Sequence, residues 1–255
     1  MQRLTFLGTG TSQGVPIIAC NCEVCTSADP RDSRLRTSAL LQADGKNILF
    51  DIGPDFRQQM LRQGVSRLDA ILVTHAHRDH VAGLDDVRPL NYVQRGPIDL
   101  YLNSIAASAL RRDYKYIFSP HDYPGLPEIE LHEVDSPFTV AGVGVVPIHA
   151  LHKDLPILGY RVGDMAYITD TNSIPREELN KIRGLKVLVI NALRKERHWS
   201  HYSLEEALEV IGQVGPEQAY LTHVSHEIGL HSEVQSMLPD GVFLAYDTLE
   251  VVIEQ

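Results

Sequence analysis

The chain has 255 residues, 44% of them hydrophobic and 22% charged, with a formal net charge of -10. This composition is that of a soluble globular protein with no apolar run long enough to cross a bilayer. The acid excess argues against the broad basic surface by which proteins grip nucleic acid through counterion release.

One sizeable core fits this length, and no repeat, low-complexity tract or long linker divides the chain, so a single domain over 1–255 is expected. The opening residues, MQRLTFLGTGTSQG, lack the apolar segment and small-residue cleavage site of a secretory signal, and a cytoplasmic location follows as the expectation. Short apolar runs open the chain: RLTFLG (3–8), SALLQA (38–43) and NILFDIG (47–53), the last two joined by the turn DGK. Between them IIACNCEVCT holds Cys20, Cys22 and Cys25, spaced for metal binding or redox chemistry rather than disulfides in a reducing compartment. The glycines of LGTGTSQG have the spacing G-x-G-x-x-x-G with Pro16 where a helix should begin, so they predict a tight turn rather than a dinucleotide loop.

PDFRQQMLRQG, opened by Pro54 and closed by Gly64, predicts a helix, and LDAILVTHAH predicts a buried strand running into a polar loop. Further strands are predicted at 98–103, 143–150, 157–163, 165–170, 186–193 and 218–224. Helices are predicted at 175–184 and 203–215, the second with the capping box Ser203 and Glu206. Strands first, then strands alternating with helices, predict an α/β sandwich with helices outside packed sheets. Several strands stop at a histidine or aspartate, which would gather these side chains on one rim of a sheet.

The loop THAHRDH sets His75, His77, Asp79 and His80 directly after the apolar run AILV. A single tetrahedral site with an open position cannot use four such groups, so two metals are implied. His75-x-His77-x-Asp79-His80 resembles the signature of the metallo-β-lactamase superfamily. That resemblance implies a four-layer αββα sandwich, a binuclear metal centre at one edge, and hydrolysis by attack of a metal-bridging hydroxide. It also implies the remaining ligands: His152 in preference to His149, because it precedes Gly159-Tyr160 by a few residues, then Asp170 after AYIT and His223 after AYLT. His75, His77 and His152 would hold one metal, Asp79, His80 and His223 the other, and Asp170 would lie between them. Imidazole-rich ligands suit zinc, and the carboxylates also accommodate manganese or iron.

GTGTSQGVPIIACNCEVC, SHYSLEE and LTHVSHEIGLH together resemble the PhnP-type cyclic phosphodiesterases of the carbon-phosphorus lyase pathway, over nearly the whole chain. The resemblance implies a structural zinc on Cys20, Cys22, Cys25 and His226, two catalytic manganese or zinc ions, and a homodimer. It also implies that His201, ahead of the capped helix, protonates the leaving group of a small, perhaps cyclic, phosphate ester; His198, beside the single tryptophan, reads as a residue that packs or supports the site from behind. Asp79 and Asp170 join His201 as catalytic residues.

Arg78, Tyr114 and Lys115 are candidates for substrate contact, although 86–135 carries no motif. The expected partner is a small-molecule phosphodiester, with no membrane and no nucleic acid. Two rival readings are tRNA 3'-end processing, for which no Gly/Pro-rich basic arm is found, and a non-enzymatic metal-binding member of the same fold, which the full ligand set disfavours. Lactamase, thioesterase and glyoxalase relatives share the histidine loop but not usually a residue like His201.

Overall fold

The computed structural model describes residues 1–120, 123 and 125–254. In chain order its strands are β1 (Gln2–Gly8), β2 (Ser38–Ala43), β3 (Lys46–Phe50), β4 (Ala70–Leu72), β5 (Ile98–Leu102), β6 (Ile129–Glu133) and β7 (Phe138–Val140). Then come β8 (Val143–His152), β9 (Leu155–Val162), β10 (Met165–Ile168), β11 (Val187–Asn191), β12 (Gln218–Thr222), β13 (Val242–Leu244) and β14 (Glu250–Ile253). They form two seven-stranded sheets, ordered β14-β1-β2-β3-β4-β5-β6 and β13-β12-β11-β10-β9-β8-β7.

The period-two alternation of each strand assigns one face to the space between the sheets and the other to a helical layer. Leu4, Phe6, Leu41, Ile48 and Phe50 meet Tyr160, Tyr167, Val187 and Val189 in the middle, where Phe50 stacks on Tyr167 with centroids 4.7 Å apart. Leu49 and Ile71 face outward against Phe56, Met60, Ala106 and Leu110. On the other side Leu188 and Ile190 pack against Ala207, Val210, Ile211 and Val214. Helix, sheet, sheet, helix is the αββα sandwich that the sequence predicts.

The two predicted helices that flank this layer form at Phe56–Gln63, ended by Gly64 at φ 63°, and at Leu204–Val214, where Ser203 and Glu206 make the reciprocal capping box. The 175–184 prediction shortens to Arg176–Lys181. Segment 86–135, silent in motif, supplies the helices Arg88–Gln94, Ser104–Asp113 and Lys115–Phe118 and the strands β5 and β6.

Parallel pairing of β3 with β4, and of β10, β11 and β12 with one another, brings their carboxyl ends to one edge. Ligands collect outside such ends. Three residues just past them adopt left-handed backbone: Asp51 (φ 58°), Asp170 (φ 55°) and His223 (φ 53°). Asp and His tolerate this region better than most L-residues, so each strand can stop with its side chain aimed into the edge. Tyr160, fully buried on β9, donates its hydroxyl to the Val73 carbonyl at 2.6 Å and so ties the second sheet to the loop that starts at the end of β4.

Candidate metal centre

Beyond Leu72 the chain passes through Thr74 into His75 and His77, and the short helix Arg78–Val81 then presents Asp79 and His80. His75 Nε2 lies 2.9 Å from His77 Nδ1. His152, the last residue of β8, donates Nδ1–H to the Ser200 carbonyl at 2.8 Å, which leaves Nε2 as a lone-pair donor. His149 lies elsewhere: its Nε2 pairs with Asp135 at 2.8 Å and its backbone N–H donates to Glu178.

Two sets of donor atoms result, each set lying within 4.8 Å of one another: His75, His77, His152 and Asp170, then Asp79, His80, His223 and Asp170. Asp170 belongs to both. The geometry therefore groups the seven sequence-derived ligands as three, three and one shared.

In the second set the donors crowd without aligned pairing. His80 Nε2 and both ring nitrogens of His223 are buried and lack an aligned hydrogen-bond partner. Yet oxygens of Asp79 and Asp170 stand 2.8 to 3.6 Å from the two Nε2 atoms. Donor atoms that converge on common points while leaving their hydrogen bonds unmade fit divalent cations, whose charge replaces the missing partners.

The electrostatics agree. Burial works against an ionised Asp170, but His223 and His80 outweigh it and hold the carboxyl well below its ordinary range. Burial likewise disfavours the His223 imidazolium, and Asp170 overrides it, raising the group to about 9. Burial pushes His75 well below the ordinary histidine value.

Asp51 is a candidate site residue that the sequence motifs did not point to. Fully buried, it accepts from Thr74 N–H at 2.8 Å and from His80 Nδ1 at 2.8 Å. That second bond fixes the tautomer that turns His80 Nε2 toward Asp79 and Asp170, the role carboxylates play behind ligating histidines. The signal was present: NILFDIG is a strand ending in aspartate, as MAYITD is.

His201 lies beside both sets, its ring stacked on His223 at 5.1 Å and edge-on to His152 at 4.7 Å. Its Nδ1 is held by Ser200 Oγ at 2.9 Å and by His198 Nδ1 at 3.2 Å. Its Nε2, buried and without a hydrogen-bond partner, is 3.6 Å from Asp170 Oδ2.

At the other end of the His223 loop, His226 Nδ1 meets Cys20, Cys22 and Cys25 Sγ at 3.3, 3.2 and 3.5 Å. One ring nitrogen cannot hydrogen-bond three thiols. A tetrahedral zinc with bonds of about 2.3 Å to sulfur and about 2.0–2.1 Å to nitrogen has an S···N edge of about 3.5 Å. A backbone hydrogen bond from Cys25 lowers the Cys22 thiol to about 6, while burial raises Cys25 to about 11.

A cavity of about 320 Å³ opens against His75 and His77, with Arg78 and Arg112 also in its lining. The other two substrate candidates need correction. Tyr114 is buried, its hydroxyl donating to the Val81 carbonyl at 3.1 Å, and Lys115 is exposed and not among the residues that line the cavity. Among the described residues no helix is long and apolar enough to cross a membrane.

Comparison with known proteins agrees with this arrangement. Residues 46–224 match the model of the beta-lactamase superfamily domain. A crystal structure titled as a new diphosphatase from the PhnP family superposes with a TM-score of 0.92 at 40% identity, covering 98% of this chain and 96% of that one. An octanoyltransferase of Porphyromonas gingivalis is 43% identical over 99% of this chain, which spans only 52% of that protein's length. A ribonuclease Z of Mycobacterium sp. (strain KMS) is 28% identical over 88% of this chain and 84% of its own length. The chain belongs to the beta-lactamase superfamily and, within it, to the PhnP family.

Proposed function

We propose that this chain is a metal-dependent phosphodiesterase that hydrolyses a small phosphate ester, cyclic esters included. The observation that carries the reading is His201: a half-buried imidazole whose Nε2 is itself buried, unpartnered among the described residues and 3.6 Å from the carboxylate shared by the two donor sets. In this reading His75, His77, His152 and Asp170 hold one divalent ion, and Asp79, His80, His223 and Asp170 the other, zinc or manganese by their donor chemistry. Such ions supply Lewis-acid stabilisation of phosphoryl charge and a hydroxide nucleophile near neutral pH.

The chain's own residues do the rest. Asp51 and the Ser200 carbonyl orient His80 and His152 so that their Nε2 lone pairs face inward. Ser200 and His198 fix the His201 ring through Nδ1, and Nε2 carries the proton that passes to the leaving alkoxide. The three thiols and His226 hold a structural zinc, closed to substrate, which anchors the loop three residues beyond His223.

The ribonuclease Z relative favours tRNA 3'-end processing as the second reading. A net charge of -10 opposes it, and tight tRNA binding in a gel shift at physiological salt would reverse the order. Acyl transfer, in the name of the Porphyromonas relative, is not carried over to this chain, which spans only 52% of that protein's length. The test is turnover of bis(p-nitrophenyl) phosphate and of cyclic phosphates by protein stripped of metal and reloaded with manganese or zinc. Metal-dependent hydrolysis is expected, and its absence on every phosphodiester refutes the reading.

A further inference from the structure

Strand β6 closes one edge of the first sheet and pairs only with β5. Their parallel register sets Asp99 opposite Glu130 and Tyr101 opposite His132, and the period of two puts all four side chains on one face. Like charges set directly across a ladder repel each other. Among the described residues no lysine or arginine pairs with Asp99 or Glu130, and the one ion pair here joins His132 Nε2 to Asp99 Oδ1 at 2.7 Å. Two facing carboxylates therefore have a single imidazole to offset them.

Asp99, Glu130 and His132 each offer one ligand atom, and these atoms lie within 4.8 Å of one another. The imidazole is held in place by a stack of rings: His132 lies on Tyr101 with centroids 4.7 Å apart, and Tyr101 lies on Phe138 at 5.0 Å. Tyr101 and Phe138 pack in turn against the core between the sheets. Glu130 is exposed and the other two are half-buried, so the group opens to solvent. Asp99 and Glu130 are the second residues of their strands, whereas the catalytic donors gather beyond the carboxyl ends of theirs.

One imidazole and two carboxylates suit a borderline divalent ion, and with three protein ligands a water completes a zinc tetrahedron. Zinc bonds of about 2.0–2.2 Å set nitrogen and oxygen about 3.4 Å apart, so turning the Asp99 carboxylate to open its contact with His132 by roughly 0.7 Å admits the ion. We propose that Asp99, Glu130 and His132 form a further metal site, separate from the catalytic pair and from the thiolate zinc, which takes an exchangeable zinc ion from solution and fastens the edge strand β6 to β5. An ion bound only by the folded chain stabilises it by mass action. The inference stands apart from the phosphodiesterase reading.

The test starts from protein loaded with zinc at the catalytic and thiolate sites and freed of excess metal, into which zinc chloride is titrated calorimetrically. One additional zinc per chain is expected, with micromolar affinity, and saturating zinc should raise Tm further. His132→Ala should abolish both effects. Glu130→Gln, a change at an exposed side chain, should weaken the additional zinc about tenfold through the loss of one charged ligand. His149→Ala is the control: His149 also meets two carboxylates, Asp135 at 2.8 Å and Glu178 at 3.4 Å, but Lys181 already holds Glu178 at 2.7 Å. This variant should take up the additional zinc as the wild type does.

No zinc beyond the catalytic and thiolate ions in the wild type overturns the inference. So does an additional zinc that survives both His132→Ala and Glu130→Gln, or one that His149→Ala removes, because the ion would then lie elsewhere.

Discussion

Replacing Asp51 by Asn changes one atom of a carboxylate that accepts from Thr74 N–H, from the Thr74 hydroxyl and from His80 Nδ1. The amide has one acceptor and one donor. If its oxygen keeps the Thr74 N–H, its NH2 faces His80 Nδ1 and forces the imidazole to carry its proton on Nε2. His80 then cannot ligate. If the amide turns round, a buried N–H of Thr74 loses its acceptor at a cost of about 1–3 kcal/mol.

In the first case His80 drops out of the second donor set, and in the second a neutral amide oxygen leaves its ring less basic than a carboxylate does; loss of such a supporting carboxylate lowers metal affinity by about 10–100-fold. Removal of a fully buried charge, whose carboxyl burial already pushes up, offsets part of the stability loss, so the metal-free variant should melt close to the wild type. The assay is titration of stripped protein with manganese or zinc, with metal content and turnover followed together. The variant is expected to bind its second catalytic ion 10–100-fold more weakly and to recover turnover at high metal concentration. Wild-type affinity and turnover at limiting metal would refute the reasoning, because the tautomer would then not depend on Asp51.

Cys22→Ala should release one zinc per chain by elemental analysis and lower Tm by about 5–10 °C for a loss of roughly 2–3 kcal/mol, while folded protein keeps both other ions and its turnover. His201→Ala should lower kcat on bis(p-nitrophenyl) phosphate, by about 10²–10⁴-fold at most for a lost general acid, with metal content unchanged; unchanged kcat on alkyl esters would remove His201 from the proton path. Metal uptake by the stripped protein should release protons, because Asp170 raises His223 to about 9 and the imidazole must give up its proton to ligate. Affinity should therefore rise with pH and level off above about 9, by roughly tenfold per pH unit for each proton displaced. Calorimetry in buffers of different ionisation enthalpy checks this, and a pH-independent affinity would contradict it.

The parts of the site legible in the sequence were those where one short segment carries several ligands or where a strand stops at one. THAHRDH pointed to two donor sets because four candidate ligands follow a strand within six residues. Asp170 and His223 needed the family resemblance to stand out, although the physical reason for their placement is local: both sit in left-handed backbone at the ends of parallel strands. Asp51 has the same backbone and the same position, yet it ligates nothing itself and acts through His80, so no ligand count called for it.

Segment 86–135 stayed silent because its contribution is a surface rather than a motif. Arg112 reaches the cavity beside His75 and His77 because helix periodicity places it in line with Ile105 and Ala109. Tyr114, the residue that caps that helix, is turned inward onto the Val81 carbonyl. The fold itself was readable from strand alternation and from caps such as Ser203 with Glu206. The edge strands β6, β7, β13 and β14 were not, each being held by pairing to one neighbour rather than by a pattern of its own.

The central claim is a pair of divalent ions sharing Asp170 beside His201. Crystals of the loaded protein, with diffraction recorded at the manganese and zinc absorption edges, test it most directly. The account predicts one anomalous peak among His75, His77, His152 and Asp170, a second among Asp79, His80, His223 and Asp170, and a zinc peak on Cys20, Cys22, Cys25 and His226. A single peak, or none, within the histidine and aspartate sets of fully loaded protein would contradict it.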